Sequence, residues 1–240
     1  AADTGHINCH EAASIENTGH KILALPNTDG KITAGQIAAC AAAYYDGGAP
    51  EYLTEPKLVY LSFPTEKGTL YSAQELRDIR EVCRKYGMYL FVDGARMGYG
   101  LGAVDNDLTL KDFAELTDVF YIGGTKCGAL FGEALVITEP ALQYRFKAYM
   151  KQHGAVYFGA IGGCGALLSK CIKKAEVIAY EDLGAEALRR LEVEDFPVTV
   201  IIDALGNDLY ETGRRAYLEQ CNGKPVSYTH LRAHETLANL

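Results

Sequence analysis

An acidic and a basic side chain each follow an apolar segment of this chain, and residues of these two types can support cofactor chemistry. Asp93 ends the apolar run 88–92, and Lys126 comes shortly after the run 119–122. If these runs are parallel strands, both residues fall beyond the carboxyl ends, where such sheets bind ligands. A lysine amine there can form a Schiff base with the aldehyde of pyridoxal phosphate. A carboxylate can keep the pyridine nitrogen protonated, so that the ring accepts electrons from a substrate carbanion.

Asp93 and Lys126 also fit an ordinary structural role. An Asp at the end of a strand often caps the helix that follows, and a loop Lys is usually solvated. The spacing of the two residues, taken alone, favours this second interpretation. The sequence around them therefore decides between the two.

Four short motifs surround these residues and occur in a recognisable order. They are 6–11 (HINCHE), 64–69 (PTEKGT), 91–96 (FVDGAR) and 122–126 (IGGTK). Together they resemble the threonine aldolase / aromatic amino acid β-eliminating lyase family of pyridoxal phosphate enzymes, of fold type I. The resemblance covers about residues 1–152.

The resemblance implies a role for several residues. It makes Lys126 the Schiff-base lysine and Asp93 the partner of the pyridine nitrogen. It places Arg96 against the cofactor phenolate or the substrate carboxylate, His6 on the face of the ring, and Thr125 among the cofactor-binding residues. His6 by itself would be an ordinary polar loop residue.

Glu66 departs from the family pattern. Many threonine aldolases carry a His at the position that Glu66 occupies, near the substrate hydroxyl. A carboxylate can also act as a base there, so Glu66 is a candidate catalytic residue with Lys126 and His6. A solvated turn residue before Gly68 is the alternative. The change leaves open which amino acid is the substrate.

The composition bounds the class of protein. With 240 residues, 48% hydrophobic and 22% charged, the chain has the composition of an ordinary globular protein. Its net charge of −8 argues against nucleic acid as a partner, and no apolar run approaches the ~18 residues of a membrane span. The 7 cysteines include no C-x-x-C pair, which predicts free thiols, no bound metal and a cytoplasmic location.

The start of the sequence already lies inside the aldolase-like pattern. In the family, the loop that holds the cofactor phosphate lies upstream of the 6–11 motif. Its absence here predicts an amino-terminal truncation, poor binding of pyridoxal phosphate and threonine cleavage at no more than the background rate. The family also implies a homodimer or homotetramer acting on an amino acid substrate.

Alternating apolar runs and amphipathic segments predict an α/β fold for the first part of the chain. The predicted strands are 21–25, 57–62, 88–92, 119–122 and an antiparallel 133–137. The predicted helices are 33–45, 72–86 and 110–116, the first two opened by capping boxes. Such βα repeats indicate a mostly parallel sheet with helices on both faces. By the resemblance, this is a truncated large domain of the aspartate aminotransferase type.

The pattern changes after about residue 152. Residues 153–218 resemble the carboxyl-terminal end of class I fumarate hydratases. A small α/β unit is predicted there, with a helix at 164–174, strands at 176–179 and 198–202, and a helix between the strands. The glycines at 162–165 lack the Lys-Ser/Thr of a phosphate loop, which favours a packing turn.

The last residues do not look like a protein domain. Residues 224–236 resemble translated sequencing-adapter read-through, so His230 and His234 are interpreted as part of a non-native tail despite their helical spacing. The predicted domains are a lyase-like part at 1–152, a fumarase-like unit at 153–220 and the tail at 221–240.

The hypothesis from the sequence is a pyridoxal phosphate-dependent lyase that cleaves β-hydroxy-α-amino acids into glycine and an aldehyde, joined by misassembly to a fumarase-like segment. Two alternatives stay open: a hydro-lyase subunit resembling class I fumarate hydratase, and a non-catalytic chimeric fragment.

Overall fold

The chain divides into two compact units. The computed structural model describes residues 1–128, 133–160 and 165–220. The first unit comprises Ala1–Tyr144 and Leu183–Glu186, and the second comprises Arg145–Asp182 and the residues from Ala187 onward. Within the described ranges, no helix combines the length and the apolar character that a bilayer crossing requires. The glycine turn at 162–165 lies largely outside the described residues, and the tail at 221–240 lies wholly outside them.

Helices and strands alternate along the first unit. The helices are α1 (His6–Cys9), α2 (Ala34–Tyr45), α3 (Ala73–Tyr86), α4 (Met97–Leu101) and α5 (Leu110–Leu116). The strands are β1 (Leu58–Ser62), β2 (Tyr89–Asp93), β3 (Val119–Gly123) and β4 (Glu133–Ile137). Helix α6 (Pro140–Gln152) follows, and the division between the two units falls inside it.

These four strands form one sheet in the order β1-β2-β3-β4. The first three strands are parallel, with Ser62 aligned to Asp93 and Phe91 aligned to Val119. Strand β4 runs antiparallel to β3 and pairs Gly123 with Glu133. The predicted α/β class, the mostly parallel sheet and the antiparallel fourth strand are therefore confirmed.

One face of the sheet carries the core. Alternate residues of a strand point to the same face, and here this set is apolar and fully buried: Val59, Leu61, Leu90, Val92 and Phe120. Buried residues of α2, α3 and α5 belong to the same cluster, among them Ile37, Leu76, Ile79, Cys83 and Phe113. The helical spacing of Leu76, Ile79 and Cys83 puts these side chains on the one face of α3 that packs into this core.

Capping boxes begin helices α2 and α3, as the sequence predicts. The Thr33 hydroxyl accepts from the Gln36 N–H, and the Ser72 hydroxyl accepts from the Glu75 N–H. In each box the side chain at the fourth position accepts in return from the backbone N–H of the capping residue. Helix α3 ends at Gly87, which has a left-handed φ of 62° that glycine adopts without strain.

A buried ion pair connects α3 to the sheet. Arg80 donates two hydrogen bonds to Asp118, at 2.6 and 2.8 Å, and the backbone N–H of Leu90 donates a third at 2.7 Å. The Asp118 side chain is 4% exposed. Its carboxylate therefore satisfies donors from a helix and from the central strand at once.

The predicted strand at 21–25 is wrong. Only Leu25 is paired, through an isolated parallel bridge to Ala2. The Asp3 backbone N–H donates to the Leu25 carbonyl at 2.8 Å, and the Leu25 backbone N–H donates to the Ala1 carbonyl at 2.9 Å. A strand needs a neighbour along its length, and this segment has one for a single residue.

The second unit consists of short antiparallel pairs and helices. Its elements after α6 are β5 (Tyr157–Gly159), α7 (Gly165–Ser169), β6 (Ile172–Ala179), β7 (Leu188–Val193), β8 (Thr199–Ile202) and α8 (Leu209–Gln220). Strand β6 pairs with β7, and β5 pairs with β8. Lys147 of α6 contacts Asp208 at 2.5 Å and Glu211 of α8 at 2.6 Å.

Two helix predictions in this unit need correction. The predicted helix at 164–174 is shorter, because α7 ends at Ser169 and β6 already begins at Ile172. A 3-10 turn at Glu181–Glu186 and strand β7 occupy the place of the second predicted helix. Cross-strand pairing with β6, including an Arg190–Glu176 contact of 2.6 Å, overrides the local helical preference.

Replacing Asp118 by Ala should destabilise the fold strongly. The change leaves the Arg80 guanidinium and the Leu90 N–H without their acceptor in a buried site, which typically costs about 3–5 kcal/mol. Urea unfolding followed by circular dichroism measures the loss. Glu115→Ala is the control, because it removes a largely exposed ion pair with Lys111 and should cost less than about 1 kcal/mol. Equal losses in the two variants would contradict this assignment.

The Cys83 thiol should resist modification in the folded chain. Burial raises its pKa to about 12, and the nearby Asp118 charge adds to the rise while Arg80 opposes it. The reactive thiolate is therefore scarce at pH 8. The exposed Cys9 should react quickly with a thiol reagent at this pH, and Cys83 only after urea is added. Peptide mapping identifies the labelled residue, and rapid labelling of Cys83 without urea would refute the expectation.

Candidate active site

Asp93 occupies the carboxyl end of the central strand β2. Asp93 is 9% exposed. The Ala95 N–H donates to Oδ1 at 2.9 Å, and the Tyr60 hydroxyl of β1 donates to Oδ2. Tyr121, on β3, lies near enough for the Asp93 carboxylate to raise the pKa of its phenol. The carboxylate therefore lies between phenols from the two neighbouring strands.

Both phenols keep their protons in this environment. Burial raises the pKa of Tyr60 far above its ordinary value, and the Asp93 charge raises it further. Burial likewise raises the pKa of Tyr121, and its interaction with Asp93 raises it further. Both phenols therefore stay neutral beside the carboxylate, and Tyr60 donates a hydrogen bond to it.

Two glycines allow the segments after β2 and β3 to approach closely. The Gly123 N–H donates to the Gly94 carbonyl at 2.9 Å. A Cβ on Gly94 would lie 2.0 Å from the Tyr121 carbonyl oxygen, and a Cβ on Gly123 would lie 2.6 Å from the Ala95 carbonyl oxygen. Since both obstacles are backbone atoms, only glycine fits at either position.

Lys126 lies just after Gly123, the second of these two glycines, in the chain. It is half-buried in a 3-10 turn, Thr125–Cys127, that begins two residues after β3 ends. Thr125, the first residue of the turn, is half-buried as well. Because β2 and β3 are parallel, the Asp93 end and the Lys126 turn share one edge of the sheet. The structure thus places the two residues on adjoining segments.

Arg96 lies near the same edge, at the start of α4. Its side chain is exposed and lines an open cavity of about 790 Å³. Glu66, Tyr99 and Asp105 line the same cavity, together with the rest of the segment 64–70. Two cationic residues, Arg96 and Lys67, and two anionic ones, Glu66 and Asp105, thus line one space that could accommodate a zwitterionic ligand.

His6 begins helix α1 and contacts two carboxylates. Its backbone N–H donates to Glu66 Oε1 at 2.8 Å. Its ring Nδ1 hydrogen-bonds to Glu11 Oε1, and the ring lies 5.0 Å from that of His10. The structure therefore joins the 6–11 motif to the 64–69 motif through Glu66.

Four further residues lie at the site that the sequence motifs did not assign to it: Tyr60, Tyr121, Ser62 and Glu11. A signal for the first three was present in the strand alternation. Tyr60 and Ser62 on β1 share a face with Asp93 on β2 and with Tyr121 on β3, because alternate residues point the same way. Counting back by two from each strand end would have found them.

The Asp93 carboxylate can accept further hydrogen bonds. A carboxylate accepts about four hydrogen bonds, and the Ala95 N–H and the Tyr60 hydroxyl account for two. A protonated pyridine nitrogen is a suitable further donor. The chemistry of this site therefore fits pyridoxal phosphate.

Replacing Gly94 by Ala should destabilise the first unit. The added methyl group would meet the Tyr121 carbonyl at 2.0 Å and force the two strand ends apart, a type of overpacking that costs about 1–3 kcal/mol. The matched control is Gly35→Ala on α2, where the nearest atom would be 3.8 Å away. That variant should be neutral or slightly more stable. Urea unfolding compares the two, and equal midpoints would argue against the close approach.

Similarity to known proteins covers the two parts of the chain separately. A low specificity L-threonine aldolase from Pseudomonas sp. (strain NCIMB 10558) is 32% identical over 158 residues, which are 64% of this chain and 44% of that protein. A solved structure of Leishmania major threonine aldolase is 48% identical with a TM-score of 0.58, and the match covers 65% of this chain and 44% of that one. This chain therefore spans less than half the length of these relatives.

The later residues match a different family. The fumarase C-terminus family matches residues 131–213, a range that begins before the expected residue 153. Fumarate hydratase 2 from Leishmania major is 48% identical over 61 residues, 25% of this chain and 11% of that protein. The aerobic class I fumarate hydratase of Escherichia coli (strain K12) is 43% identical over 72 residues, 30% and 13% of the two chains. The chain is thus similar to threonine aldolases over about two thirds of its length and to the fumarase carboxyl terminus over a shorter segment.

Proposed function

We propose that the first part of this chain is the cofactor-holding part of a pyridoxal phosphate-dependent lyase of the threonine aldolase type. Its reaction would be the cleavage of β-hydroxy-α-amino acids into glycine and an aldehyde. The observation that supports this most directly is the placement of Asp93 and Lys126 after neighbouring parallel strands at one edge of the sheet. Similarity to threonine aldolases supports the same class of reaction.

Each candidate residue has a distinct task in this proposal. Lys126 would hold the cofactor covalently, and Asp93 would accept a hydrogen bond from the pyridine nitrogen. When bound, pyridoxal phosphate supplies an electron sink for the carbanion that forms as the substrate bond breaks. Tyr60 and Tyr121 would keep the Asp93 carboxylate in a fixed orientation, since both phenols stay neutral beside it.

The remaining residues would bind the substrate and shape the site. Arg96 would bind the substrate carboxylate, because Arg96 and Glu66 line the same cavity and a guanidinium matches carboxylate geometry. The His6 ring would lie against the cofactor ring, held by Glu11. Thr125 would contribute at the turn that carries Lys126.

The second part of the chain belongs to the proposal only as a separate unit at about 153–220. Its matches to fumarate hydratases are 61 and 72 residues long and make up 11% and 13% of those proteins. So short a segment does not support hydration of fumarate by this chain. Assembly into homo-oligomers and a cytoplasmic location stay predictions.

Covalent capture of the cofactor tests the central assignment. The full chain is incubated with pyridoxal phosphate, reduced with borohydride and mapped by peptide mass spectrometry. We expect labelling at Lys126, because its turn follows β3 at the edge of the sheet where Asp93 ends β2, and we expect Lys126→Ala to lose that label. The control Lys111→Ala changes an exposed lysine on α5 and should label as the wild type does. Labelling spread evenly over the lysines would disprove the assignment.

A second assay addresses the reaction class. Release of glycine from β-hydroxy-α-amino acids is measured with and without pyridoxal phosphate. Glycine release that depends on Lys126 would support a lyase. Labelling at Lys126 with no glycine released from any such substrate would favour a different pyridoxal phosphate reaction.

A further inference from the structure

Glu66 connects two segments that are distant in the sequence. Its Oε1 accepts hydrogen bonds from the His6 N–H at 2.8 Å and from the Ser62 hydroxyl at 2.7 Å. His6 and Glu66 are 60 positions apart. A single carboxylate oxygen therefore joins the start of α1 to the end of β1.

Helix α1 depends on this contact because its own flanking sequence supplies no cap. The first N–H groups of any helix have no acceptor within the helix. The residue before α1 is Gly5, which has no side chain that could cap this end of the helix. Glu66 supplies the acceptor for the first of these N–H groups from another part of the chain.

The loop that carries Glu66 is itself held in place. The Thr65 N–H donates to the Thr69 carbonyl at 2.9 Å, and the two hydroxyls are 2.7 Å apart. Thr65 is buried, and the Thr69 hydroxyl donates to the Asp29 carbonyl at 2.6 Å. A carboxylate on such a supported loop can fix the position of a group that it binds.

The His6 ring has a second constraint. Its Nδ1 hydrogen-bonds to Glu11, while its backbone is held by Glu66. Two carboxylates thus determine where the His6 side chain lies. This arrangement gives Glu66 a task different from that of a proton acceptor.

We propose that Glu66 is a positioning residue and not the general base of the reaction. It fixes the start of helix α1, at His6, through the two hydrogen bonds that its Oε1 accepts. The inference rests on the proposed function, because the orientation of His6 matters there for contact with the cofactor. Glu66 Oε1 already accepts hydrogen bonds from two groups of the fold, the His6 N–H and the Ser62 hydroxyl. The amide oxygen of a glutamine could accept the same two hydrogen bonds, so the positioning role needs an acceptor and not a charge.

Two substitutions separate the roles. Glu66→Gln keeps an acceptor oxygen but removes the basic group, and Glu66→Ala removes both. Ser62→Ala removes one of the two donors to Oε1 and provides a milder variant if Glu66→Ala folds poorly. Glu81→Ala is the matched control, because Glu81 is a glutamate 76% exposed on α3.

The first measurement is hydrogen exchange of the His6 backbone amide by NMR, on the full chain without cofactor. We expect exchange to rise about tenfold or more in Glu66→Ala and to change less than about threefold in Glu66→Gln. Ser62→Ala should give an intermediate increase, and Glu81→Ala should match the wild type. An unchanged His6 exchange rate in both Glu66→Ala and Ser62→Ala would overturn the proposal.

The second measurement uses added pyridoxal phosphate. The induced circular dichroism of the bound cofactor should weaken in Glu66→Ala and persist in Glu66→Gln. Glycine release by Glu66→Gln should stay within about tenfold of the wild type, whereas losing a general base costs about 100- to 10,000-fold. Glu66→Gln falling as far as Glu66→Ala in glycine release would overturn the positioning role. If the wild type captures no cofactor at Lys126, the proposed function fails, and the His6 exchange rates still decide whether Glu66 fixes the start of α1.

Discussion

The hydrogen bond from the Gly123 N–H to the Gly94 carbonyl, 2.9 Å long, is the contact on which the candidate site depends. It brings the backbone after β2 against the end of β3, so the residues that follow each strand share one edge of the sheet. Neither glycine can be replaced without a clash against backbone, at 2.0 Å for Gly94 and 2.6 Å for Gly123. The position of Lys126 relative to Asp93 follows from this approach and from the parallel pairing of the strands.

The two faces of the sheet carry side chains of different character, one apolar and one polar. One face carries fully buried apolar side chains packed with α2, α3 and α5, and the Asp118–Arg80 ion pair ties α3 to the sheet. The other face carries Tyr60 and Tyr121 beside Asp93. Because strand side chains alternate between the faces, the core can be packed without disturbing the polar set.

The carboxylates of the first unit serve as acceptors for groups from other elements. Asp93 accepts a hydrogen bond from the Tyr60 phenol of β1, and Glu66 binds the start of α1 and the end of β1. Such contacts orient charged groups before any ligand arrives, which is the general requirement of a preorganised site. The second unit, whose described strands form short antiparallel pairs, resembles a different family.

The sequence by itself determined the elements whose signals are local. The capping boxes at Thr33 and Ser72, the apolar stripe of α3 and the strand that ends at Asp93 all follow from residue type and short spacing. Only the tertiary structure decided contacts between distant residues, such as Tyr60 with Asp93 at a separation of 33 positions and His6 with Glu66 at 60. It also turned the helix predicted between 179 and 198 into β7, because pairing with β6 depends on a partner strand that local propensity does not register. Residue patterns specify the periodicity and the ends of individual helices and strands. The register and the partners of each strand are set when the whole chain packs.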